Sequence, residues 1–163
     1  APRLGDWDGT WGGGLVTTGV NERSIPLEQL RPILTLPGCE FVSLQYGQPE
    51  AEVAEVNATL ESPIRVFPKA EIDEFQDLAG LVQNLDLIIS VQTSLVHLSG
   101  ALDVPALVMV PFVPEWRYTA ALPRMPWYGS VTPHRQGADK NWSPVIQRVA
   151  EAAIQRLGLE AGA

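Results

Sequence analysis

Leu85-Asp86-Leu87-Ile88-Ile89-Ser90-Val91-Gln92-Thr93-Ser94-Leu95-Val96-His97-Leu98-Ser99-Gly100-Ala101-Leu102-Asp103-Val104-Pro105-Ala106-Leu107-Val108-Met109-Val110 contains two apolar runs separated by a helical segment. Asp86 to Val91 is nearly continuous in apolar residues, as expected of a strand buried on both faces in a parallel sheet. Thr93 to Leu102 is small and apolar and reads as a short helix. Pro105 to Val110 is a second buried strand. Parallel strands need a crossover connection, usually a helix, so this order predicts a parallel pair.

The same alternation extends outward. Towards the N-terminus, Asp73 to Asn84 reads as a helix with Phe75, Leu78, Ala79 and Val82 on its apolar face. Ile64 to Phe67 is a strand closed by Pro68, and Glu50 to Leu60 is a helix with a charged face. Glu40 to Leu44 is a strand, and Leu27 to Leu34 is helical up to the Pro37-Gly38 stop. Gly14 to Gly19 reads as a short β-branched strand. Residues 1–13 form a loosely ordered leading segment. Towards the C-terminus, Pro111 to Pro133 is an irregular, proline-punctuated connection, and His134 lies exposed in a Pro-flanked loop. Val145, Val149, Ala153 and Leu157 make an i, i+4 stripe on a final helix. Strand–helix alternation of this kind means one α/β domain over residues 1–163 with a parallel sheet.

Composition narrows the function. The 163 residues are 45% hydrophobic and 18% charged, which excludes an intrinsically disordered chain. Eleven Lys and Arg against 19 Asp and Glu leave a formal charge of −8. That balance argues against nucleic acid and anionic membranes as partners. The one cysteine, Cys39, allows no intrachain disulfide and favours a reducing compartment, so a cytoplasmic location is expected. With two histidines besides, a zinc centre is not expected. No run of about 20 apolar residues exists, so no membrane span is expected. The first residues lack the basic-then-apolar pattern of a signal peptide.

In open α/β sheets ligands bind outside the carboxyl ends of the strands. The residues following Val91 are therefore the first candidates. Thr93 at a helix N-cap leaves the backbone N–H groups of Ser94, Leu95 and Val96 free beside the positive end of the helix dipole, an arrangement suited to a phosphate or diphosphate. The alternative is that Thr93 only caps the helix. His97, one turn on, either donates to a phosphate or sugar oxygen as a neutral imidazole or is a satisfied core histidine. Gly100 reads as a site of close packing. Asp73 and Asp77 read as helix-start carboxylates with a pocket role as the alternative. Lys69 is either solvated or an anion contact. No glycine-rich phosphate fingerprint, nucleophile elbow or diagnostic carboxylate pair is present.

The segment Leu85 to Leu102, followed by Pro105, resembles the donor-site motif of GT-B glycosyltransferases of the heptosyltransferase type. It is similar in particular to the bacterial tetratricopeptide-linked branch, which is akin to O-linked N-acetylglucosamine transferases. Arg23 to Leu27, Phe41 to Gln45, Pro111 to Arg117, Trp127-Tyr128, Arg135-Gln136 and Trp142 resemble flanking parts of that family. The resemblance implies a Rossmann-like, three-layer α/β/α domain with a parallel sheet of about six strands, one half of a GT-B fold. It implies a nucleotide diphosphate sugar as donor substrate and no metal. It also implies an N-terminal acceptor domain and tetratricopeptide repeats elsewhere, so that this chain binds donor but is inactive alone. Thr93, Ser94 and Leu95 would hold the diphosphate. His97 would contact it or the sugar and is the candidate catalytic residue. Gln92 and Gln45 would lie near the nucleotide, Asp77 near the base or sugar, and Trp116 and Arg117 along the cleft.

Three positions depart from the family pattern. Gln92 stands where the family has Asp, and an amide accepts sugar hydroxyls more weakly than a carboxylate and is no base. Thr17-Thr18-Gly19 replaces Trp-Ser-Gly, and Tyr46 replaces a frequent Lys. These departures motivate a rival expectation: a non-catalytic GT-B-like module serving partner binding or regulation. A sugar-nucleotide epimerase of the same class is a third expectation, which would need a pair of cleft carboxylates.

Overall fold

The computed structural model describes residues 24–45, 50–72, 74–118 and 124–159. The expected leading segment, the Gly14–Gly19 strand, Tyr46 and Asp73 lie outside these residues. A 3-10 turn, Leu27–Leu30, runs into α1 (Arg31–Leu34). There follow β1 (Val42–Ser43), α2 (Glu50–Asn57), β2 (Arg65–Val66), α3 (Lys69–Ile72) and α4 (Phe75–Gln83). The second half comprises β3 (Ile88–Val91), α5 (Ser94–Ala101), β4 (Ala106–Val110), a 3-10 turn (Trp116–Tyr118), β5 (Val131–Arg135) and α6 (Ser143–Leu157).

Every pairing between these strands is parallel. β1 pairs with β2, and β3, β4 and β5 form a second sheet in that order. The described residues thus hold five strands in two sheets of two and three, where about six in one sheet were expected.

All five residues of β4 are buried, because apolar layers cover both faces. Leu107 and Met109, with Val91 of β3, pack in one core with Val145, Ile146 and Val149 of α6 and Leu27, Leu30 and Ile33 of the first helical segment. Ala106, Val108 and Val110, with Ile88 and Val131, pack in a second core with Val82 of α4, Val96 and Leu98 of α5, and Tyr118. Alternation along β4 therefore assigns successive side chains to opposite layers. Each fully buried Val, Leu or Ile contributes about 1.5–3 kcal/mol.

Helix α6 has the local signals to stand on its own. Asn141 accepts the Ser143 N–H through Oδ1 at 2.9 Å, and Gly158 ends the helix at φ 65°, a left-handed position suited to glycine. Its stripe faces the core as expected, with Leu157 half-buried.

Two expectations need correction. The connection after Pro111 includes a strand, β5, and His134 lies on it, half-buried, opposite Met109. Pro133 concealed that strand, because proline cannot donate to a ladder. It is tolerated here because β5 lies at the edge, paired with β4 alone. The helix expected from Asp73 begins at Phe75, whose side chain is 70% exposed. The first turn of α4 overhangs the core, and only Val82, two turns later, is fully buried.

Candidate functional site at the carboxyl end of the sheet

β3 ends at Val91 and α5 starts at Ser94, so the helix points its N-terminus at the carboxyl edge of the sheet. Thr93 is the N-cap residue, in extended conformation, but its side chain makes no capping bond. Its hydroxyl lies 3.1 Å from the Ser90 hydroxyl instead. The Val96 N–H donates to the Thr93 carbonyl at 3.3 Å, so it is not among the free donors expected there. The N–H groups of Ser94 and Leu95 have no hydrogen-bond partner among the described residues. Ser94 is exposed and Leu95 half-buried.

Gln92 is buried, 8% exposed, and works as a strut. Its Oε1 accepts the Glu115 N–H at 3.2 Å, tying the segment after β4 to the end of β3. Its Nε2 is buried with no partner. Gln136, after β5, does the same from the other side. It accepts the Phe112 N–H at 3.1 Å and donates to the Lys140 carbonyl at 2.6 Å. Two buried glutamines thus pin Phe112 and Glu115 above the sheet.

His97 is half-buried and sits between two tyrosines, with ring centroids 6.1 Å from Tyr118 and 5.8 Å from Tyr128. Burial, and next the Arg117 cation, hold its imidazole below the ordinary histidine value, against a smaller opposing pull from Glu115. The ring is therefore neutral at pH 7 and carries one donor and one acceptor nitrogen. Tyr118 is 1% exposed, its hydroxyl has no partner, and burial raises its pKa well above the ordinary tyrosine value. Gly100 is required by Tyr128. A Cβ there would stand 2.3 Å from Tyr128 Cγ.

Arg117 pairs with Glu115 at 2.7 Å, and its guanidinium lies 4.8 Å from the Trp116 ring centroid. Trp127 packs edge-on to Trp116 at 6.3 Å and donates its Nε1 hydrogen to the Arg117 carbonyl at 3.2 Å.

The structure therefore brings Gln92, Thr93, Ser94, Leu95, His97, Trp116 and Arg117 together. Gln45 follows β1, one residue after Leu44, which packs against the α5-side core. Asp77 lies exposed in the first turn of α4, with no side-chain partner among the described residues, and Glu74 is the N-cap of that helix. Tyr118, Tyr128 and Gln136 were not singled out as site residues. Tyr128 and Gln136 belong to the flanking segments that resemble the family, and Tyr118 lies in the same proline-punctuated stretch.

A cavity of about 280 Å³ opens at the opposite, amino end of the sheet, among Leu87, Pro105, Ser130, Thr132, Gln155 and Arg156. It lies away from the α5 terminus. The carboxyl end remains the candidate, because that is where parallel sheets gather helix N-termini. Among the described residues no group of three or more His, Cys, Asp or Glu is placed to hold a metal ion. No helix among them is long and apolar enough to cross a membrane.

The chain is similar to Protein FlbA of Caulobacter vibrioides. The two are 32% identical over 131 residues, covering 78% of this chain and 21% of FlbA. The chain thus spans about a fifth of the length of that curated relative. No family model matches the chain, and no solved structure matches it.

Proposed function

We propose that this chain is the donor-binding part of a glycosyltransferase, a Rossmann-like half of a GT-B fold of the heptosyltransferase type. Joined to an N-terminal acceptor half, it would transfer a sugar from a nucleotide diphosphate sugar to a protein or saccharide acceptor. The likeness to FlbA names no chemistry, so the reading rests on the strand-end geometry. The observation that carries it is the α5 terminus, where the Ser94 and Leu95 N–H groups are unpaired at the carboxyl end of β3. The buried, unpaired Nε2 of Gln92 beside it supports a polar site.

The Ser94 and Leu95 N–H groups and the helix dipole bind the diphosphate and stabilise its growing charge as the sugar departs. The Thr93 hydroxyl, held by Ser90 rather than by its own helix, is free to turn to a phosphate oxygen. Neutral His97, its pKa lowered by burial, donates to a phosphate or sugar oxygen. Arg117, paired with Glu115, lies beside this site with guanidinium hydrogens left to donate. None of these roles calls for a metal.

Gln92 favours a second reading, a non-catalytic module. Its carbonyl is committed to the Glu115 backbone, which makes it a structural element where the family pattern has a carboxylate.

Calorimetric titration with UDP, ADP and GDP tests the proposal, alongside Ser94→Pro. Proline is tolerated at the first helical position, where it removes that N–H together with the Ser94 hydroxyl, and Thr93 is already extended as a residue before proline must be. Saturable binding of at least one nucleotide, weakened about 10- to 150-fold in Ser94→Pro, is the expected result, since a hydrogen bond to a charged group contributes about 1.5–3 kcal/mol. Absence of binding by all three selects the non-catalytic module.

A further inference from the structure

We propose that Trp127, braced by Trp116, is the platform on which the base of the bound nucleotide stacks; this rests on the donor-site reading above and extends it to the base. Tryptophan is normally well buried, yet Trp116 is 69% and Trp127 58% exposed. These are not loose side chains. The two rings meet edge to face at an interplanar angle of 85°. Arg117 lies over the Trp116 ring and is itself fixed by Glu115. Trp127 is tethered through Nε1 to the Arg117 carbonyl. A platform already held in place loses little side-chain freedom when a ligand arrives.

The tether also decides the kind of contact. The indole N–H of Trp127 is its one polar group, and it is already used. What remains for a ligand is the π-face, which suits a flat heteroaromatic ring and tolerates any base. The location follows from Gln92. Its side chain binds the Glu115 backbone, one residue before Trp116, while its own backbone leads directly into Thr93 and the α5 terminus. The phosphate-binding N–H groups and the aromatic pair are thus linked through one buried side chain. Diphosphate at α5 and base on the Trp127 indole is the arrangement this linkage permits.

The test titrates the wild type, Trp127→Ala, Trp127→Phe and Ser94→Pro with inorganic pyrophosphate, UDP and ADP. Trp127 is exposed, so its replacement leaves the fold intact, which circular dichroism checks. The inference expects ADP to bind more tightly than UDP, and both more tightly than pyrophosphate. In Trp127→Ala the nucleotides weaken by about 5- to 150-fold, the effect of losing one base stack. Pyrophosphate affinity stays unchanged, and Trp127→Phe recovers most of the loss. If Trp127→Ala leaves nucleotide affinity unchanged while Ser94→Pro still weakens pyrophosphate, the platform is wrong and the donor site stands. That outcome would make the tryptophan pair a contact for another protein segment. If neither pyrophosphate nor nucleotide binds the wild type, the donor-site reading falls and the platform with it.

Discussion

The layer beneath α6 and the carboxyl end of the β3–β5 sheet share the same strands but obey opposite rules. Under α6, Val145, Ile146 and Val149 are at most 1% exposed and pack in an apolar cluster. At the carboxyl end, Gln92 Nε2 and the Tyr118 hydroxyl are buried without partners, and two tryptophans face water. A buried unpaired polar group costs about 1–3 kcal/mol. The α6 side carries such an atom too, His134 Nε2 near Arg148, but the carboxyl end combines this standing cost with aromatic rings turned to water. Tolerated costs of this kind gather where a surface has work to do.

The sharpest way to break this contrast is to damage the stable layer alone. Ile146→Ala should cost about 2–5 kcal/mol in chemical denaturation, the usual penalty for emptying an isoleucine site. Nucleotide affinity measured on the folded protein should not change. If affinity drops in step with stability, the two regions are not separable.

A somewhat smaller effect is expected from Gly100→Ala, which strikes the carboxyl end. The new Cβ must displace the Tyr128 ring, at about 1–3 kcal/mol for overpacking. Tyr128 flanks His97, so nucleotide binding should weaken as well, unlike in Ile146→Ala. Full stability in Gly100→Ala would show that Tyr128 moves aside freely.

The smallest effect concerns pH. Burial, and then Arg148, lower the His134 pKa below the ordinary 6.5, and His97 is lowered in the same direction. The folded chain therefore binds fewer protons than the unfolded one, and stability falls as pH drops below about 6.5. His134→Leu removes one of these groups along with an unpaired buried nitrogen. Its melting temperature should change less between pH 7.5 and 5.5 than that of the wild type. An unchanged slope would assign the pH dependence to other groups.

Much of the second half was legible in the sequence. The apolar runs before Gln92 and in β4 read as strands; β4 is covered on both faces, while Ile89 and Ser90 of β3 stay half-buried, and the α6 stripe faces a core. The position of Thr93 at a helix start was equally plain. The edge strand β5 was not legible, because Pro133 argues against a strand until the chain is seen to place it where no ladder donor is needed. Nor was the outward turn of Phe75, since helical periodicity says which residues share a face but not how far the core extends beneath it.

The site divides in the same way. The sequence by itself determined the α/β class, the acidic surface and the α5 terminus, because hydrophobic spacing and helix-start chemistry are local. Only the tertiary structure decided that Gln92 is a strut for Glu115, that Thr93 turns to Ser90, that Gly100 makes room for Tyr128, and that Trp116 and Trp127 meet. Each of these joins side chains from different segments, or selects one of several local hydrogen bonds. Packing in three dimensions sets such choices, and no spacing along the chain encodes them.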